Sequence, residues 1–150
     1  MEKLINFYQI AENVGTAGQP TVDQLSEIAK AGYATVVNLA MHDSDNAIPE
    51  EGNIVTSLGM TYIHVPVPFD APTVNHVRKF CGIMDALGNE NIFVHCAVNA
   101  RVSAFMHRYL TLRKGVSSAQ ATSPLLQQWL PEMDLSWKSI MELEANDVGA

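Results

Sequence analysis

Residues 94–105, VHCAVNARVSAF, set Cys96 ahead of Arg101 with Ala97, Val98, Asn99 and Ala100 between them. The segment before, NIFVHC at 91–96, is the most apolar short run and reads as a strand buried on both faces. The segment after, RVSAFMHRYLTLRKG, repeats apolar residues at 102, 105, 109 and 112, a helical spacing that Gly115 ends. Cys96 therefore leaves a strand and Arg101 enters a helix. Backbone N–H groups at a helix start are unpaired and carry partial positive charge, so the turn from Ala97 to Arg101 can wrap an oxyanion. The same field favours the thiolate, which is the nucleophilic form of cysteine. A guanidinium grips two oxygens of a phosphate at once, whereas an ammonium acts as a point charge. One turn thus supplies a nucleophile, a set of donors and a clamp.

The elements that must position this turn alternate between short β-branched runs and helical patterns, the signature of βα units on a parallel sheet. FYQIA at 7–11 predicts a first strand that ends in the turn-rich GTAGQP. Thr21 and Gln24 form a capping box for a helix over TVDQLSEIAKAG, with Gly32 past its end. ATVVNLA at 34–40 predicts a buried strand. MHDSDNAIPEEG predicts a loop leading into a helix, with Pro49 near its first turn and Gly59 beyond it. MTYIHVPV at 60–67 predicts a strand stopped by Pro66 and Pro68. A helix from about Thr73 to Leu87, closed by Gly88, carries Cys81 on its apolar face with Val74, Val77, Ile83 and Leu87. The remainder predicts two or three helices interrupted at Pro124 and Pro131, with Trp129 and Trp137 as core anchors.

Composition narrows the function classes. A chain of 150 residues at 47% hydrophobic fits one globular domain over 1–150. A formal net charge of -7 argues against general nucleic-acid binding, which needs a basic face. An anionic ligand must then be held by local backbone and Arg contacts. No apolar run reaches the roughly 18 residues of a spanning helix, and the N-terminus lacks a signal-peptide pattern, so the expectation is a cytoplasmic protein without a membrane partner. Two cysteines are too few for a disulfide framework. His42, His76 and His107 have no partner at metal-ligand spacing, and no Walker or dinucleotide glycine motif occurs, so no metal or cofactor is expected. Arg108, Arg113 and Lys114 are assigned to a solvated helix face.

His95-Cys96, the short turn and Arg101 resemble the active-site loop of the protein tyrosine and dual-specificity phosphatases. Gly18-Gln19-Pro20, Val36-Val37-Asn38-Leu39 and Tyr62-Ile63-His64-Val65-Pro66-Val67 extend the resemblance over roughly residues 8–130. They are similar to one bacterial branch, the phosphatase-like domain related to beta-lactamase-hydrolase-like proteins. The resemblance implies a three-layer α/β fold: a four- or five-stranded, mainly parallel sheet with helices on both faces and the Cys96 strand near its centre. It also implies a phosphate monoester substrate, on a small molecule or a phosphoprotein, and a cysteinyl-phosphate intermediate.

This chain departs from the family at three points. The usual loop has five residues between Cys and Arg; this one is a residue shorter, about 3.3 Å of reach. Asn99 stands for the family's glycine and must take a positive φ for the turn to survive. Val102 stands for the hydroxyl residue after the Arg, a role Ser103 could fill. Asp70, on the loop PFDAPT after the preceding strand, matches the position of the family's general acid. Its alternative role is to cap the next helix or solvate a turn. Asp43 and Asp45 form a weaker second choice. His95 is assigned to structural support of the loop, and His64 to a packed or edge position. Three functions follow in order of preference: a cysteine-dependent phosphatase, a non-catalytic anion- or phosphoprotein-binding module of the same fold, and a rhodanese-like sulfurtransferase, in which a four-residue spacing from Cys to Arg is common.

Overall fold

In a computed structural model that describes residues 3–149, the chain forms a five-stranded sheet between two layers of helices. The strands are β1 (Tyr8–Ala11), β2 (Val14–Ala17), β3 (Thr35–Asn38), β4 (Thr61–His64) and β5 (Ile92–His95). Their order is β1-β2-β5-β3-β4, with only the β1–β2 pair antiparallel. β5 lies at the centre, and His95 sits in register with Ala17 on one side and Asn38 on the other.

Side-chain alternation builds the two cores. Ala17, Val36 and Phe93 face α1 (Val22–Lys30) and α2 (Glu51–Ser57), where they meet Leu25, Ile28 and Val55. Val14, Val37 and Val94 face the other way, against Val77 and Phe80 of α3 (Val74–Leu87) and Phe105 of α4 (Ala100–Arg113). The α5 helix (Pro124–Trp129) and α6 helix (Leu135–Met141) complete that layer, and Trp137 is fully buried in it. This is the three-layer α/β architecture that the resemblance implies, with the parallel pairing that the alternating pattern predicts.

Two expectations need correction. The segment GTAGQP does not begin as a turn: Val14–Ala17 is a strand, buried throughout. A Cβ at Gly15 would lie 2.6 Å from the Tyr33 hydroxyl, so the glycine that resembles a turn signal is there for close packing. Arg108 and Arg113 are not on a solvated face. Arg108 is buried and donates to the carbonyls of Met141 and Leu143, while Arg113 pairs with Asp85 and donates to Val148. The C-terminal segment folds back over α4, and arginine hydrogens satisfy its carbonyls. At Pro124, where an interruption is expected, a new helix, α5, begins, its first turn losing nothing by the missing N–H.

Candidate active site

Three of the four parallel strands deliver their carboxyl ends to one sheet edge beside the fourth, β2, which there runs into Gly18-Gln19-Pro20. The loops after β3, β4 and β5 therefore gather at the same place. Cys96 follows β5 directly, and Asn99 is the N-cap of α4 with φ +77°, the left-handed conformation the turn requires. Its side chain secures that conformation: Nδ2 donates to the Asn6 carbonyl at 2.8 Å and to Thr16 Oγ1 at 3.1 Å.

The loop's carbonyls are all tied on its outer side. The Cys96 carbonyl faces His95 Nδ1 at 3.2 Å. The Ala97 carbonyl accepts from the Gln19 amide at 3.0 Å and from Asn46 Nδ2 at 3.0 Å. The Val98 carbonyl accepts from Asn6 Nδ2 at 2.9 Å. In a trans peptide the C=O and the following N–H point to opposite sides. The N–H groups of Ala97, Val98 and Asn99 are thus turned away from these anchors, and no acceptor takes them among the described residues. The amides of Ala100, Arg101 and Val102, in the first turn of α4, also lack intrahelical partners. Gly18 permits this packing, because a Cβ there would sit 2.5 Å from the Ala97 oxygen.

Arg101 is 6% exposed. Its Nη1 donates to the Val67 carbonyl at 2.9 Å, and its guanidinium lies 5.8 Å from the Phe69 ring centre. Its Nε is buried with no partner among the described residues. Phe69 is in turn held through its carbonyl by Trp137 Nε1 at 2.7 Å and stacks on Trp129. The loop bearing Asp70 is thereby fixed next to Arg101. Asp70 itself is exposed and makes no hydrogen bond or ion pair among the described residues. Thr73, not Asp70, caps α3, with His76 completing a capping box, so the capping role is excluded for Asp70. Asp43 and Asp45 are exposed on the loop whose Asn46 touches the Ala97 carbonyl.

Cys96 is fully buried, and its sulfur forms no hydrogen bond among the described residues. Ser103 does not reach it. The Ser103 hydroxyl donates to Asn99 Oδ1 at 3.4 Å and accepts from Ser123 at 2.8 Å. One helical turn separates Ser103 from Asn99, so both face β2 and α5, and Ser103 supports the turn through Asn99. His64 lies on the edge strand, with Nε2 against the Ala40 carbonyl at 2.7 Å.

Sequence reading missed one buried group. Glu51 is 5% exposed; its Oε2 is 2.7 Å from His95 Nε2 and its Oε1 accepts from Gln19 Nε2 at 2.8 Å. Burial pushes its carboxyl up, but the bonds from His95 and Gln19 and the nearby His95 and His64 rings outweigh burial and hold it below the usual value. An acid in the first turn of a helix is ordinary, and nothing in the sequence couples it to a histidine on a distant strand.

The family described as DSP-PTPase phosphatase fused to NAD+ kinase, PTP-NADK, matches residues 9–142. A crystal structure of a DUF442 candidate phosphatase from Shewanella putrefaciens is 30% identical to the chain, with a TM-score of 0.84 over 93% of this chain and 91% of that one. Tk-PTP in its active form is 18% identical, with a TM-score of 0.73 over 94% and 97%. TpbA of P. aeruginosa, crystallised as a Cys-to-Ser variant with phosphotyrosine, is 13% identical, with a TM-score of 0.71 over 96% and 88%. At such identities the last two speak for the fold alone. No curated protein matches the chain.

Proposed function

The chain belongs to this family of dual-specificity-type phosphatase domains, and we propose that it hydrolyses phosphate monoesters through Cys96. The observation that carries the reading is the buried Nε of Arg101, unpartnered among the described residues, in the residue that closes a turn whose Cys96, Ala97 and Val98 carbonyls are anchored outward and whose amides meet no acceptor there. A buried donor without an acceptor is costly, and a phosphoryl group seated in the turn removes that cost.

In the proposed reaction the Cys96 thiolate attacks phosphorus, and the phosphorus–oxygen bond to the alcohol breaks. Asp70 gives its proton to the departing oxygen. Arg101 and the loop amides hold the equatorial oxygens, where negative charge is greatest. Water then attacks the cysteinyl phosphate, Asp70 takes its proton, and the sulfur–phosphorus bond breaks to release phosphate and regenerate the thiolate. The substrate is a phosphorylated small molecule or phosphoprotein.

The full burial of Cys96 favours a second reading, an anion-binding module in which the sulfur is not attacked. The family match favours both over the sulfurtransferase. Assay with an aryl phosphate separates them. Phosphate release abolished by Cys96→Ser supports the enzyme. No turnover, with phosphate still raising the melting temperature, supports the module. Sulfur transfer from thiosulfate to cyanide would support the third reading instead.

A further inference from the structure

The polar groups behind the anion loop form a continuous chain that begins and ends on a backbone carbonyl, and this constrains the protons in it. Gln19 Nε2 donates to the Pro20 carbonyl at 3.0 Å, and a carbonyl can only accept, so the nitrogen of that amide is the atom placed there. The same nitrogen faces Glu51 Oε1 at 2.8 Å, which makes that oxygen an acceptor. The depressed carboxyl of Glu51 leaves Oε2 an acceptor as well. His95 Nε2, 2.7 Å away, must therefore carry a hydrogen. At the other end of the ring, His95 Nδ1 faces the Cys96 carbonyl at 3.2 Å, again a group that only accepts. Both ring nitrogens need hydrogen at once.

We propose that Glu51 is a positioning residue that holds His95 as an imidazolium and so locks the Cys96 carbonyl outward. The inference deepens the phosphatase reading and rests on it for its catalytic consequence; the protonation of the ring does not. His95 and Glu51 are 0% and 5% exposed, so their ion pair is shielded from water and fixed in geometry. Gln19 orients the carboxylate through its second oxygen. The other titratable groups near Glu51 are His64 and Tyr62, whose hydroxyl is pushed up by burial and, less, by Glu51. The Gly18-Gln19-Pro20 segment thus has two duties. Gly18 makes room for the Ala97 oxygen, and Gln19 holds that oxygen with its amide and the carboxylate with its side chain.

The test is nitrogen NMR of the His95 side chain near neutral pH in the whole chain, assigned by comparison with His95→Asn. Wild-type protein is expected to show both ring nitrogens protonated. Glu51→Gln, which keeps an acceptor but removes the charge, is expected to lose one of the two. A wild-type ring with one bare nitrogen overturns the proposal even if Glu51→Gln fails to fold, and a Glu51→Gln ring that stays doubly protonated also overturns it. These readouts do not depend on turnover, so a chain that hydrolyses no phosphate would defeat the enzyme reading and leave this one standing. If it does hydrolyse aryl phosphate, Glu51→Gln should lower kcat by about ten- to a hundredfold with KM little changed, the scale of one charged hydrogen bond. It should have no further effect in a His95→Asn background. An additive second loss would show that Glu51 acts other than through His95 and would overturn the positioning role.

Discussion

Arg101 and Val67 are joined by a hydrogen bond of 2.9 Å that ties the start of α4 to the loop after β4. One guanidinium nitrogen is thus committed to holding the Asp70 loop in place, while Nε is buried without a partner among the described residues. The two halves of the proposed chemistry, clamp and proton donor, are mechanically linked through this side chain.

Arg101→Lys tests that linkage. A lysine keeps the charge but cannot bond Val67 and an oxyanion in the same plane. We expect kcat/KM on an aryl phosphate to fall by about a hundred- to a thousandfold, the scale for loss of one oxyanion donor. A change of less than a few fold would show that the guanidinium does not meet the substrate.

Asp70→Asn should separate chemistry from structure. The carboxylate is exposed and does not cap α3, so thermal stability should stay within about 0.5 kcal/mol of wild type. Loss of a general acid should cost about a hundredfold or more in kcat, least for aryl leaving groups that need little protonation. Equal losses on all leaving groups would assign the proton to another residue.

Asn99 answers for the turn. Alanine at φ +77° is strained and forfeits two hydrogen bonds, so Asn99→Ala should lower unfolding free energy in urea by about 2 kcal/mol or more. Glycine relieves the strain and loses only the bonds, so Asn99→Gly should be less destabilised than Asn99→Ala. The reverse order would mean that the backbone there is not held left-handed.

The strand that ends before Cys96 and the helix that follows it were legible because they depend on neighbours in sequence, and the left-handed Asn99 because it stands where the resembling family's loop has glycine. A buried strand followed at once by a helix leaves few geometries for the connection. The role of Glu51 was not legible, since it comes from an approach between α2 and β5 that only the sheet order creates. β2 was hidden for a related reason. Gly15 and Gly18 resemble turn residues in the sequence, yet both sit at close approaches, Gly15 to the Tyr33 side chain and Gly18 to the Ala97 backbone oxygen. Arg108 was misplaced on solvent because the segment that covers it lies beyond two prolines in the chain.

Acid should expose the Glu51 contribution. A carboxyl held below its ordinary value of 4.5 in the folded state stabilises above that value, and the contribution fades as pH falls through the folded-state value. Urea midpoints should therefore show wild type more stable than Glu51→Gln at neutral pH, by about 1–3 kcal/mol. The gap should close in acid below the ordinary carboxyl range. A gap independent of pH would mean that the charge on Glu51 is not what stabilises the fold.

The central claim is that Cys96 sulfur takes the phosphoryl group. Acid quenching of the protein during turnover of an aryl phosphate, followed by mass spectrometry of the peptide containing residue 96, reads this directly. The account predicts a phosphoryl adduct on Cys96 in the wild type, enriched in Asp70→Asn if that residue also activates water, and absent in Cys96→Ser. Continued hydrolysis by Cys96→Ser, or turnover with no adduct on that peptide in either protein, would contradict it.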